Sequence, residues 1–79
     1  MTSPIAAPGN GGDLAYERVA ADIEQQIRDG RLKSGQRLIG ERAMAEHYGV
    51  AYQTVRRAMQ VLRDRGLIRT VHGRGTFVA

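Results

Sequence analysis

The stretch from Glu41 to Gly66 reads ERAMAEHYGVAYQTVRRAMQVLRDRG, and its two halves carry separate helical signals around one glycine. From about Gly40 to Tyr48 the residues suit a short helix with Ala43, Met44 and Tyr48 inward, stopped at Gly49. Val50-Ala51 leaves room only for a tight turn. From about Tyr52 to Arg65 a new period begins, in which Val55, Ala58, Met59 and Leu62 fall within one narrow arc at about 100° per residue, the mark of a buried helical face. Gly66 ends it. Two short helices joined by a tight glycine-containing turn predict a helix-turn-helix.

Opposite the buried arc of the second of these helices stand Tyr52, Gln53, Arg56, Arg57 and Gln60, with Thr54 at the edge and no acidic residue before Asp64. An arginine can donate a bidentate pair to guanine O6 and N7, and a glutamine can pair with adenine N6 and N7. Tyr52 has a hydroxyl for a phosphate or a ring for a thymine methyl. A helix-turn-helix that binds DNA lays its second helix in the major groove with the N-terminal residues at base edges. An ordinary solvated helix surface has the same polarity, so the helical wheel alone leaves both readings open.

Upstream, Tyr16, Val19, Ala20, Ile23 and Ile27 recur at helical spacing. They predict an amphipathic helix from an N-cap at Asp13 to about Asp29, closed by Gly30. Residues 1–13, rich in Pro, Gly and Asn, are expected to be a disordered tail. Leu32 to Ile39 has no helical period, Ser34-Gly35 is a turn signal, and Arg37–Ile39 suits a very short strand. Downstream the period changes again. Leu67–Val71 and Thr76–Val78 suit two strands, with Phe77 expected in the core, around the turn His72-Gly73-Arg74-Gly75. An arginine between two glycines at a hairpin tip fits a narrow minor groove, where negative potential is focused.

Charge follows the same division. The net charge of +4 lies wholly in residues 41–79, where seven arginines stand against three acids, while residues 1–40 balance five against five. Eleven of the twelve basic residues are arginine, the side chain suited to bidentate contact with phosphate or guanine. There is no cysteine, and His47 and His72 are far apart in sequence, so no metal site or cofactor is expected. No apolar stretch approaches a membrane span, the N-terminus lacks a signal-peptide pattern, and a cytoplasmic setting is expected. No nucleophile–base pair suggests an enzyme. A single phenylalanine leaves no aromatic sheet for stacking RNA bases.

From Tyr16 to Ala79 the chain resembles the N-terminal domain of GntR-family transcriptional regulators. The resemblance runs through Ile23…Ile27-Arg28-Asp29-Gly30, Leu38-Ile39-Gly40-Glu41-Arg42 and Ala45-Glu46-His47-Tyr48-Gly49-Val50. It continues in Thr54-Val55-Arg56-Arg57-Ala58-Met59, Leu62…Gly66-Leu67-Ile68 and Gly73-Arg74-Gly75-Thr76-Phe77-Val78. It implies an α+β winged helix-turn-helix over residues 14–79, with three helices, a C-terminal β-hairpin wing and a short extra strand. It also implies a regulator, a repressor by expectation, that binds palindromic double-stranded operators as a homodimer. Arg42 would contact the DNA backbone or a base, Thr54 and Arg56 would lie on the recognition helix, and Gly73 with His72, Arg74 and Gly75 would enter the minor groove. Three departures stand out. Tyr52 takes the place of a base-reading arginine, Ala51 that of a Ser or Thr N-cap, and Ser34, Ile39 and Gly40 those of Pro, Pro and Ser. The family's larger effector-binding domain has no counterpart in these residues, and no effector site is expected in them. The competing reading is a winged helix that binds protein alone, against which Arg56 and Arg57 count, because protein interface cores are depleted in charge.

Overall fold

The computed structural model describes the backbone of residues 11–79 and the side chains of residues 15–79. Three helices, α1 (Gly11–Arg28), α2 (Glu41–Tyr48) and α3 (Tyr52–Asp64), precede an antiparallel hairpin of β1 (Ile68–Val71) and β2 (Gly75–Val78). The winged helix-turn-helix is the architecture found. The helix begins at Gly11, two residues before the expected cap at Asp13, so Asp13 stands inside α1. Residues 1–10 of the expected tail lie outside the described residues.

The core forms where three apolar stripes meet. Helix α3 supplies Val55, Ala58, Met59 and Leu62, all fully buried, as the narrow arc predicts. Val19, Ala20 and Ile23 of α1 pack on one side and Met44 of α2 on another, and Leu38, Ile68 and Val78 close the end under the hairpin. Tyr16 and Ile27 pack against the margin of this cluster. Within α2 the expected inner face is rotated. Ala43 is exposed, and Ala45 packs on the core beside Met44 instead. An eight-residue helix holds barely two turns, so its few apolar residues define the direction of the stripe poorly; α1 and α3 around it decide the rotation.

The turn between α2 and α3 is closed by backbone. Gly49 takes a left-handed conformation, its N–H donates to Glu46 O, and the Val50 N–H donates to Ala45 O. This satisfies the last carbonyls of α2 and folds Val50 back against the core. A tyrosine hydroxyl fastens α2 to α1: Tyr48 donates to Asp22 Oδ2 at 2.6 Å, and burial together with that carboxylate pushes the phenol up from its ordinary pKa.

In the hairpin, Ile68 pairs with Val78, Arg69 with Phe77, Thr70 with Thr76 and Val71 with Gly75. The alternation turns Ile68 and Val78 inward, which places Arg69 and Phe77 on the opposite face. Phe77 is therefore half-buried on the outer face and is no part of the core. The short extra strand exists as a single bridge between Arg37 and Phe77. The Leu38 N–H donates to Thr76 O, and the Val78 N–H donates to Gln36 O.

Candidate nucleic-acid interface

Two helix N-termini meet across the turn and gather three of the expected residues. Tyr52, the first residue of α3, lies half-buried beneath Arg42 of α2, whose guanidinium carbon sits 4.4 Å from the ring centroid; Arg56, one turn further along α3, lies 5.9 Å from the same ring. The ring's negative face attracts both cations, so Tyr52 holds two arginines at the entry of α3. Its role is thus a platform beneath charges more than an isolated hydroxyl.

Gln53 on the first turn of α3 is exposed and Thr54 half-buried. The α3 N-terminus carries no side-chain cap: Ala51 has φ −66° and ψ 149°, with no capping hydrogen bond, and the first turn has no acid. The Thr54 and Val55 N–H groups both bond Ala51 O. The N–H groups of Tyr52 and Gln53 stay directed out of the helix, where the dipole favours an anion.

Arg57 stands apart from this cluster. Its guanidinium lies 4.1 Å from the Tyr16 ring of α1, which carries its charge to the α1 side of α3. The arginines of the far end are structural. Arg65 pairs with Glu24 at 2.9 Å, Arg28 pairs with the same carboxylate at 2.6 Å, and Arg63 donates to Thr70 Oγ1 at 2.8 Å, tying α3 to the wing. Arg28 first and then Arg65 hold the Glu24 carboxyl below its ordinary range. By contrast, among the described residues no carboxylate lies within ion-pair distance of Arg42, Arg56 or Arg74. The excess charge read from composition is concentrated at the start of α3 and on the wing.

The wing tip is a tight turn closed by the Arg74 N–H donating to Val71 O at 2.9 Å. Gly73 has φ +77°, the value a type II turn requires at its third residue. His72, Gly73 and Arg74 are exposed, and Gly75 already belongs to β2. Gly75 has φ +126°, and a Cβ built there would stand 2.8 Å from Nε of Arg37. The positive φ strains any side chain at this position, and a Cβ would also push the Arg37 side chain aside. Neither Arg37 nor Arg69 was a sequence-level candidate. The alternation of Ile68-Arg69-Thr70 carried a signal for Arg69, whereas Arg37 reaches the wing only through the bridge to Phe77. No group of His, Asp or Glu among the described residues fits a metal ion, and no described helix is long and apolar enough to cross a membrane.

Residues 15–78 match the family model of the bacterial regulatory proteins of the gntR family. The Glc operon transcriptional activator of Escherichia coli (strain K12) is 46% identical over 63 residues, which are 80% of this chain and 25% of that protein. The HTH-type transcriptional repressor NagR of Bacillus subtilis (strain 168) is 38% identical over 64 residues, 81% of this chain and 26% of that one. The chain thus spans about a quarter of the length of these relatives. Among solved structures, the DNA-binding domain of AraR in complex with operator ORR3 is similar at a TM-score of 0.78 and 34% identity, covering 82% of this chain and 78% of that chain.

Proposed function

The chain belongs to the gntR family of bacterial regulatory proteins, and from that premise we propose that it reads double-stranded operator DNA, with α3 in the major groove and the wing tip at the minor groove. The single observation that carries the orientation is the Arg42–Tyr52–Arg56 cluster. Two guanidinium groups from different helices are held on one ring beside the uncapped N-terminus of α3, free of carboxylate partners among the described residues. In this reading Arg56 and Gln53 face base edges. Arg42 and the first N–H groups of α3 hold a phosphate, Thr54 supports that backbone contact, and Arg57 reaches the adjacent strand from the α1 side. At the wing, Gly73, open on all sides, lets the chain approach closely while Arg74 enters the groove, flanked by His72 and Gly75.

A reader of this size covers one half-site, so a palindromic operator and a homodimer on DNA are part of the proposal. Such a reader acts in the bacterial cytoplasm, where the chromosome lies. The relatives include an activator and a repressor, so the sign of regulation follows from where the operator lies relative to the promoter. The relatives matched are named as regulators, and no catalytic step is proposed.

The test is selection of duplexes from a random library by the parent, then anisotropy titration of the enriched duplex against a scrambled one. Arg56→Ala is expected to weaken the enriched duplex by about 1–3 kcal/mol and to relax its preference, while Arg74→Ala weakens both duplexes. If Arg56→Ala and Arg74→Ala bind like the parent, the assigned surface is wrong.

A further inference from the structure

The outer face of the wing holds three arginines. Arg69 lies opposite Phe77 in the hairpin, and Arg37 bridges Phe77 from its other edge, so Arg69, Phe77 and Arg37 stand in one row across the sheet on the face turned away from Ile68 and Val78, with Arg74 beyond them at the turn. Arg69 and Arg74 line one shallow groove with Gly35, Val71 and Phe77. Arg37 Nε comes within 2.8 Å of where a Cβ of Gly75 would stand, which lays its side chain along the wing toward the tip. Among the described residues no carboxylate pairs with Arg37, Arg69 or Arg74.

We propose that this outer wing face, through Arg37 and Arg69, is a second phosphate-gripping surface that extends the duplex contact beyond the arginine at the wing tip. The inference rests on the reading of the wing as a DNA contact. Three like charges on one small face repel one another unless a polyanion neutralises them, and the groove that Arg69 and Arg74 share with Val71 and Phe77 leaves those arginines exposed to meet one. Arg37 and Arg69 stand two strand spacings apart across Phe77, about 10 Å between their backbones. Two long side chains at that separation can each reach a different phosphate, because a duplex carries one charge per roughly 3.4 Å of axis on each strand. A duplex is favoured over a protein partner because the face is continuous with the tip and rich in charge, while interface cores between proteins are depleted in charge.

Each phosphate neutralised contributes about 0.9 to the slope of log affinity against log salt, so two contacts are worth about 1.8 log units, roughly 60-fold, at 0.1 M salt relative to 1 M. The experiment compares parent, Arg37→Gln/Arg69→Gln, Arg69→Gln alone and the charge-matched Arg28→Gln/Arg31→Gln on a 40-base-pair random-sequence duplex, across a salt series, by anisotropy. The outer-face double variant is expected to lose about 1.8 from the slope and to converge with the parent near 1 M salt. Arg69→Gln, exposed and clear of Gly75, should lose about half as much. The Arg28→Gln/Arg31→Gln control should stay close to the parent. If the outer-face variants track that control while the parent binds, the proposal is overturned and the face is left for an acidic protein partner. If the parent itself does not bind the duplex, the reading of the whole domain falls with it.

Discussion

Replacing Ala51, the residue before α3, separates the stability of the recognition helix from its charge. Ala51 already has the extended backbone of an N-cap but has no oxygen to accept a first-turn N–H. A serine there accepts from Gln53 N–H, since Thr54 N–H is engaged by Ala51 O at 3.0 Å. Gains from such caps range over about 0.5–2 kcal/mol, and the competing backbone bond places Ala51→Ser in the lower half, about 0.5–1 kcal/mol. For a domain of this size that is a rise of about 3–6 °C in Tm, readable by circular dichroism. Gly40, at the corresponding place before α2, also lacks a side-chain cap bond. Glycine is only a few tenths of a kcal/mol worse than serine there, so Gly40→Ser should gain about 1–2 °C. Ala51→Asp caps equally well and adds a favourable interaction with the helix dipole of about 0.3–1 kcal/mol. It also places a carboxylate where α3 meets phosphate, and should weaken duplex binding about fivefold to tenfold by repulsion. The reasoning fails if Ala51→Ser leaves Tm unchanged, or if Ala51→Asp binds duplex as tightly as Ala51→Ser.

Three further outcomes follow from the contacts. Tyr52→Phe keeps the ring under Arg42 and Arg56 and should bind duplex like the parent, whereas Tyr52→Ala releases both guanidinium groups and should weaken binding by about 1 kcal/mol or more; titration of the two variants side by side checks this. Gly75→Ala should destabilise the domain by about 1–3 kcal/mol through its positive φ, and urea melts should show Arg37→Ala restoring only the part due to crowding against Arg37. Because Arg28 and Arg65 depress the Glu24 pKa in the folded protein, their contribution is present above the ordinary glutamate pKa and is lost as pH falls through the depressed value. Glu24→Gln should therefore show a shallower fall of Tm on acidification below about pH 4.5 than the parent.

The recognition helix and hairpin were legible because each announces itself locally. Four apolar residues at helical spacing marked the buried side of α3, and two β-branched runs around Gly73-Arg74-Gly75 marked the wing. The errors fall where local pattern is thin: the eight residues of α2, whose inner face includes Ala45 in place of Ala43, and the one strand position at which Phe77 faces outward. Relationship to the gntR family was likewise visible in residue order.

By itself, then, the sequence determined the elements, the buried faces of α1 and α3 and the half of the chain that carries excess charge. These depend on period and composition, which neighbouring residues set. Only the tertiary structure decided which arginines are engaged elsewhere and which are gathered. Arg65 is drawn to Glu24 across 41 positions, Arg57 lies on Tyr16, Arg42 and Arg56 share the ring of Tyr52, and Arg37 reaches the wing over Gly75. Identical side chains acquire different roles because ion pairing and ring stacking act over a few ångströms of space, and only chain packing brings such distant residues that close.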